Sequence, residues 1–168
     1  KGDSSMRANA YELVGAKLGR FRDFSNPQKS YINAIISEEQ AEEISRLSNP
    51  PINIKEYVFE NGDKQITINI KINLTSKWAP AVYRQINDGV PEQLTADTLY
   101  KLDGEEISDV DIVFQPGEWS HSGRSGYAAY CVTALFHIRT DKLRSSIMDR
   151  IAAAENAMNN GGMDVPFN

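Results

Sequence analysis

The sequence is short of everything that would cross-link or anchor it. Its one cysteine, Cys131, has no second thiol to pair with inside the chain, and a lone thiolate is too few for a cysteine-built zinc site. A reducing, cytoplasmic setting fits. No apolar run approaches the ~20 residues that a membrane-spanning helix needs. The stretch Met6-Arg-Ala-Asn-Ala-Tyr-Glu lacks the apolar centre of a signal peptide, and Lys1 to Ser5 reads as a leftover extension ahead of a native start. Positive charge is in deficit as well: 18 Lys and Arg face 23 Asp and Glu, for a net charge of -5. That argues against a uniformly basic nucleic-acid binder. It leaves room for a local basic face, because the field that matters is the one over the binding surface.

Catalytic signatures are missing too. There is no Gly-x-Ser-x-Gly elbow and no phosphate-cradling Gly-x4-Gly-Lys-Ser/Thr loop. The two histidines, His121 and His137, are not spaced with carboxylates in the manner of a metal site. Asp109-Val-Asp111 puts two carboxylates on one strand face. With Glu118 and His121 they sketch a metal-dependent nuclease, but Trp119-Ser-His-Ser follows where such a site needs a lysine. Cys131 sits among apolar neighbours and reads as core. No catalytic residue, metal or cofactor is assigned, and a non-enzyme is expected.

What is present is mostly strand. Tyr11 to Phe21 reads as a first strand, bent at Gly15 and Gly19 as barrel strands are. Tyr31 to Ile36 is a second. Ser37-Glu-Glu-Gln40 is a capping box opening a short helix that Asn49-Pro50-Pro51 stops. Glu60-Asn-Gly-Asp63 signals a hairpin with a type I′ turn. Ile66, Ile68, Ile70, Ile72 and Leu74 then alternate with polar residues, a long strand with one wet face. Thr75 to Asp97 reads as an irregular connection, and Asp103-Gly104 as a turn. Ile107 to Gln115 is a strand stopped by Pro116-Gly117, Glu118 to Gly126 a flexible loop, and Tyr127 to Arg139 another long strand. A helix is expected over about 141–158, and a mobile tail over 159–168. Residues 6–158 are taken as one domain. The class is mainly β with flanking helices, a small closed or half-closed barrel, with a β-sandwich as the rival.

A protein that holds single strands irrespective of sequence needs cations to follow the backbone and exposed rings on which bases stack. Three segments supply both. Lys17, Arg20, Arg22 and Lys29 interleave with Phe21, Phe24 and Tyr31. Lys71, Lys77 and Arg84 accompany Trp78 and Tyr83. Arg124 lies between glycines, with Trp119, Tyr127 and Tyr130 around it. The acids concentrate elsewhere, over 38–43 and 103–111.

The runs Leu102-Asp-Gly-Glu-Glu-Ile, Val110-Asp-Ile-Val-Phe-Gln-Pro-Gly-Glu-Trp119 and Gly123-Arg-Ser-Gly-Tyr-Ala-Ala-Tyr130 resemble the C-terminal half of bacteriophage single-stranded DNA-binding proteins with an OB-fold. The resemblance implies a barrel that coats single-stranded DNA in replication or recombination, in the bacterial host cytoplasm if phage-encoded. The tail Met163-Asp-Val-Pro-Phe167 is similar to the C-terminal tip of bacterial single-stranded DNA-binding proteins. That likeness implies partner docking through Asp164, Val165, Pro166 and Phe167, although one acid precedes Val165 and Asn168 follows the ring. Two other functions stay open: a virion-assembly or protein-interaction module using the Cys131 strand edge and the tail, and the nuclease above. Self-association is left open, and no membrane partner is expected.

Overall fold

The computed structural model describes residues 9–139 and 150–155. The chain divides into two compact units, Lys1–Ile138 and Arg139–Asn168. The strands all lie in the first unit, and of the helix expected over 141–158 the described residues 150–155, in the second unit, are helical. The tail, with Asp164 to Phe167, lies outside the described residues. Among the described residues no helix is long and apolar enough to cross a membrane.

The first unit is built on one sheet. Strands β1 (Tyr11–Ala16) and β2 (Leu18–Asp23) are two halves of one bent strand. Gly15, at φ 64°, makes the bend with a backbone that side-chain-bearing residues rarely adopt. Then come β3 (Ser30–Ile36), helix α1 (Glu38–Ser45), β4 (Ile54–Val58), β5 (Lys64–Ile72), β6 (Ala81–Ile86), β7 (Glu92–Leu94), a 3-10 turn (Leu99–Gly104), β8 (Ile107–His121) and β9 (Arg124–Ile138). The hydrogen-bonded path is β1-β8-β9-β5-β3-β2. Its two ends are the halves of the bent strand, which closes the sheet on itself. All neighbours on this path are antiparallel except β5 and β9. Five strands, a Greek-key order and one parallel contact make an OB-type barrel.

Alternation fills it. Ile66, Ile68, Ile70 and Ile72 of β5 point inward with Ile32, Ala34 and Ile36 of β3 and Val110, Ile112 and Phe114 of β8. The Ser37 box forms as the sequence requires: the hydroxyl accepts from Gln40 N at 3.0 Å and the Gln40 side chain accepts from Ser37 N at 2.9 Å. This satisfies two amides that a helix start leaves orphaned.

Three segments differ from expectation. Thr75 to Asp97 is not irregular: β6 runs parallel to β9, and β7 folds back on β6. Pro80 and Pro91 each stand directly before one strand of this pair and disrupt neither. Pro116-Gly117 does not stop β8. Beyond the pair Tyr11–Phe114, β8 has lost β1 as a neighbour, so among the described residues one edge is unpaired and Pro116 forfeits no ladder bond there. Glu118 to Gly126 is consequently no loop but the end of a two-stranded ribbon, in register from Gln115–Tyr130 to His121–Arg124. Its turn, Ser122-Gly123, has φ 51° and 78°, the two positive values of type I′. At the Asn61-Gly62 hairpin only Gly62 is positive, and Phe59 N bonds Asp63 O at 2.8 Å. That is a three-residue loop with a glycine bulge, not type I′.

Candidate nucleic-acid interface

Strand register decides which side chains share the barrel's outer surface. On β3 and β5 the outward pairs are Tyr31–Lys71 and Asn33–Asn69, and the two amides bond at 3.2 Å. On the other side of β5, Lys71 is in register with Tyr130 of β9, and its ammonium stands 5.8 Å from the ring centroid, within cation–π reach. From Tyr130 the same face continues along the ribbon through Gln115, Ala128, Gly117, Trp119, Gly126, His121 and Arg124. None of these outward positions on β3, β5 or the ribbon carries a carboxylate.

Two glycines bed the rings. A β-carbon on Gly117 would fall 2.4 Å from Tyr130 Cδ2, and one on Gly126 would fall 3.1 Å from Trp119 Cζ2. Each ring therefore rests one face on bare backbone of the opposite strand. Gly19 plays a related part beside Asn33 and Thr67, where a β-carbon would crowd Asn33 Cβ at 3.3 Å. Two more rings of the expected set are exposed: Phe21 at 61% and Trp78 at 67%, the latter with Lys77 Nζ 5.6 Å from its centroid. Arg20 and Lys17 are also exposed, and Lys17 donates to Ser108 O at 3.3 Å. Arg22 is half-buried, its guanidinium on Glu105 O at 2.8 Å.

Four expected site residues do not belong to such a face. Phe24 is fully buried, edge-on to Phe136 with centroids 5.6 Å apart, and its N–H donates to Asp103 Oδ1 at 3.1 Å. Arg84 is neutralised: it bonds Glu92 at 2.8 Å and also pairs with Glu105. The hydrogen bond from Arg84, helped by its charge and by Lys101, in turn holds the Glu92 carboxyl below its ordinary range. Tyr127 points to the barrel side of the ribbon and packs against the core. Tyr83 is half-buried on β6, by a shallow cleft shared with Glu12, Asp111 and Thr133, away from the ribbon. Cys131 faces the core from a strand flanked on both sides, so it offers no edge. Burial pushes its thiol up to about 12, which leaves it unreactive.

The fold does what sequence spacing hid for His137. Its Nε2 lies 2.8 Å from Asp111 Oδ2, and the donor atoms of Asp109, Asp111 and His137 lie within 4.8 Å of one another. Such a set could hold a metal ion. However, Asp111 Oδ1 already accepts from Gly15 N at 2.7 Å, and the buried His137 Nδ1 has no hydrogen-bond partner among the described residues. A metal on Nε2 would put the proton on Nδ1, where nothing accepts it, whereas metal-bound histidines normally donate there. The geometry suits a hydrogen-bonded pair instead. The nuclease set expected with Glu118 and His121 does not assemble: Glu118 lies on the other face of the ribbon and His121 at its turn.

The family model "Putative phage ssDNA-binding domain" matches residues 29–165. The chain belongs to this family. As a phage-type single-stranded DNA-binding protein it has solved structural relatives, all distant in sequence. The single-stranded DNA-binding protein from bacteriophage Enc34, as a C-terminal truncation, is similar with a TM-score of 0.51 at 12% identity, over 80% of this chain and 89% of that one. The same Enc34 protein in complex with ssDNA gives 0.51 at 10% identity, with the same coverage. The single-stranded DNA-binding protein gp2.5 of bacteriophage T7 gives 0.44 at 12% identity, over 79% of this chain and 87% of that one. No curated protein is similar in sequence. Identities this low carry the fold alone, and the family match carries the function, binding of single-stranded DNA.

Proposed function

We propose that this protein coats single-stranded DNA during phage replication or recombination in the host cytoplasm, without catalysing a reaction. The strand lies along the outer face from Tyr31 through Lys71 and Tyr130 to Trp119 and Arg124. One observation supports this most: outward positions of β3, β5 and the ribbon that carry no carboxylate, with Lys71 between Tyr31 and Tyr130 and the rings of Tyr130 and Trp119 each bedded on a glycine. Rings held this way present their free face to bases with little ordering cost on binding. Stacking and phosphate contacts read no base edges, so sequence preference is weak. The strand 2–3 face and the hairpin between strands 4 and 5 are also where OB barrels take oligonucleotides. Phe21, Arg20, Lys29, Lys77 and Trp78 serve as outlying contacts. The tail residues Asp164 to Phe167 serve replication or recombination partners, not DNA.

The test is a tryptophan-fluorescence titration with oligothymidine. Trp119 emission quenches on binding, and affinity falls steeply with added salt. Absence of binding at low salt ends this reading. Removal of residues 161–168 leaves DNA binding intact or slightly stronger.

A further inference from the structure

Strand β4 stands apart from the rest of the sheet. Every residue from Lys55 to Val58 is exposed, on both faces of the strand, where its partner β5 buries alternate positions. Tyr57 is 62% exposed and Phe59 42%. Their rings meet edge to face with centroids 4.8 Å apart. An aromatic pair this open does nothing for the core.

Register places the pair. Tyr57 is opposite Gln65 and Lys55 opposite Thr67. Thr67 is opposite Ile35, in the same alternating set as Asn69–Asn33 and Lys71–Tyr31. Phe59 borders a groove that runs over the hairpin end between Ile35 and Gln65 on one side and Glu38 and Lys64 on the other, and its ring contact with Tyr57 sets it on the Tyr57 side. Lys55, Tyr57 and Phe59 thus stand on the face that carries Lys71, Tyr31 and Tyr130. The hairpin's charged cluster lies on the opposite face, where Lys64 bridges Glu38 at 2.5 Å and Glu56 at 3.7 Å. Six residues of β5 separate Lys71 from Gln65, roughly 20 Å of extended chain.

We infer that Lys55, Tyr57 and Phe59 form a second single-stranded nucleic-acid subsite, which carries the bound strand off the barrel and along the β4–β5 hairpin. The inference rests on the reading that the outer face binds single strands. It adds a stacking platform at the far end of that face. Continuity with the Lys71–Tyr130 surface favours this occupant. A protein strand added to the free edge of β4 is disfavoured by the edge itself: it is five residues long and carries Lys55, features that guard edges against pairing.

The experiment compares the full chain with its Tyr57→Ala/Phe59→Ala variant, using labelled oligothymidines of roughly six and roughly sixteen nucleotides, the range one OB barrel covers. Both proteins bind the short strand equally, through the barrel face. The long strand binds the variant roughly tenfold more weakly, the value of about one stacked base. Tyr57→Phe/Phe59→Tyr keeps the wild-type gain with length, and circular dichroism confirms that both variants fold. If the alanine variant gains from length as the wild type does, the subsite does not exist, while the barrel-face reading stands. If its DNA binding is unchanged but sedimentation shows that it has lost self-association, the pair is a contact between copies and the inference is wrong. If the wild type binds neither strand, the barrel-face reading fails and takes the subsite with it.

Discussion

The indole of Trp119 lies flat enough on Gly126, across the β8–β9 ribbon, that a β-carbon there would come within 3.1 Å of Cζ2 and 3.2 Å of Nε1. A ring in this position is a preformed stacking surface only while position 126 stays bare. Gly126→Val lifts the indole off the strand. The expected result is a loss of affinity for oligothymidine close to that of Trp119→Ala, about 1–3 kcal/mol for one stacked base. Stability changes little, because the ribbon's outer face is solvated. Equal affinities for Gly126→Val and wild type would show that the ring's seat is irrelevant to binding.

Lys71 makes the matching prediction for charge. It stands between Tyr31 and Tyr130 on the outer face, where a phosphate following the stacked bases would meet it. Lys71→Ala lowers affinity and also flattens the dependence of log K on log salt by about 0.7, the contribution of one neutralised phosphate on a single strand. Arg124→Ala at the ribbon tip behaves the same way. The measurement is a salt titration of binding, and an unchanged slope for both variants removes this face from the phosphate path.

Arg84 is the control, and its effect lies on stability. Its guanidinium is mostly buried and committed to Glu92 and Glu105. Arg84→Ala leaves the half-buried Glu105 without its guanidinium, while the more exposed Glu92 keeps Lys101; the lost charge-assisted bond to Glu105 costs about 2 kcal/mol. Urea unfolding reads that cost. Oligothymidine affinity and salt slope stay at wild-type values. A variant that unfolds normally but binds DNA poorly would return Arg84 to the binding surface.

The limits of the sequence show in pairs of residues that look alike. Phe21 and Phe24 sit in the same basic run, Gly19-Arg-Phe-Arg-Asp-Phe24. One is exposed and the other is sealed under Asp103 and Phe136, because two residues three apart in extended chain point to opposite faces. Arg84 and Lys71 both read as cations near aromatics. Only pairing of β6 with β7, register Arg84–Glu92, reveals that one is spent. Period-two alternation from Ile66 to Ile72, the Ser37 box and the glycine bends of the first strand are local signals, and the barrel follows from them. The ribbon was hidden because Pro116-Gly117 is punctuation in most strands, and its tolerance depends on where β1 ends. Lys55, Tyr57 and Phe59 were passed over because a hairpin's flanking strand normally buries one face.

Asp111 carries the pH dependence. Burial pushes its carboxyl up, but hydrogen bonds from His137 and from the Gly15 amide outweigh that and hold it below the usual aspartate value. A carboxyl whose value is lower in the folded than in the unfolded chain stabilises the fold above the unfolded value, near 3.9, and loses that contribution as pH falls through the folded value. Asp111→Asn keeps an acceptor for Gly15 N and deletes the charge. Urea midpoints at about pH 7, 5 and 3 then follow a set course. The wild type is the more stable at the two higher values, and the gap narrows at the lowest, where its own carboxyl takes up a proton. The side chain is about one-third exposed, so water screens the interaction and the gap is modest. A gap that is constant with pH would mean that Asp111 contributes through shape alone and that its charge is not held by His137 and Gly15.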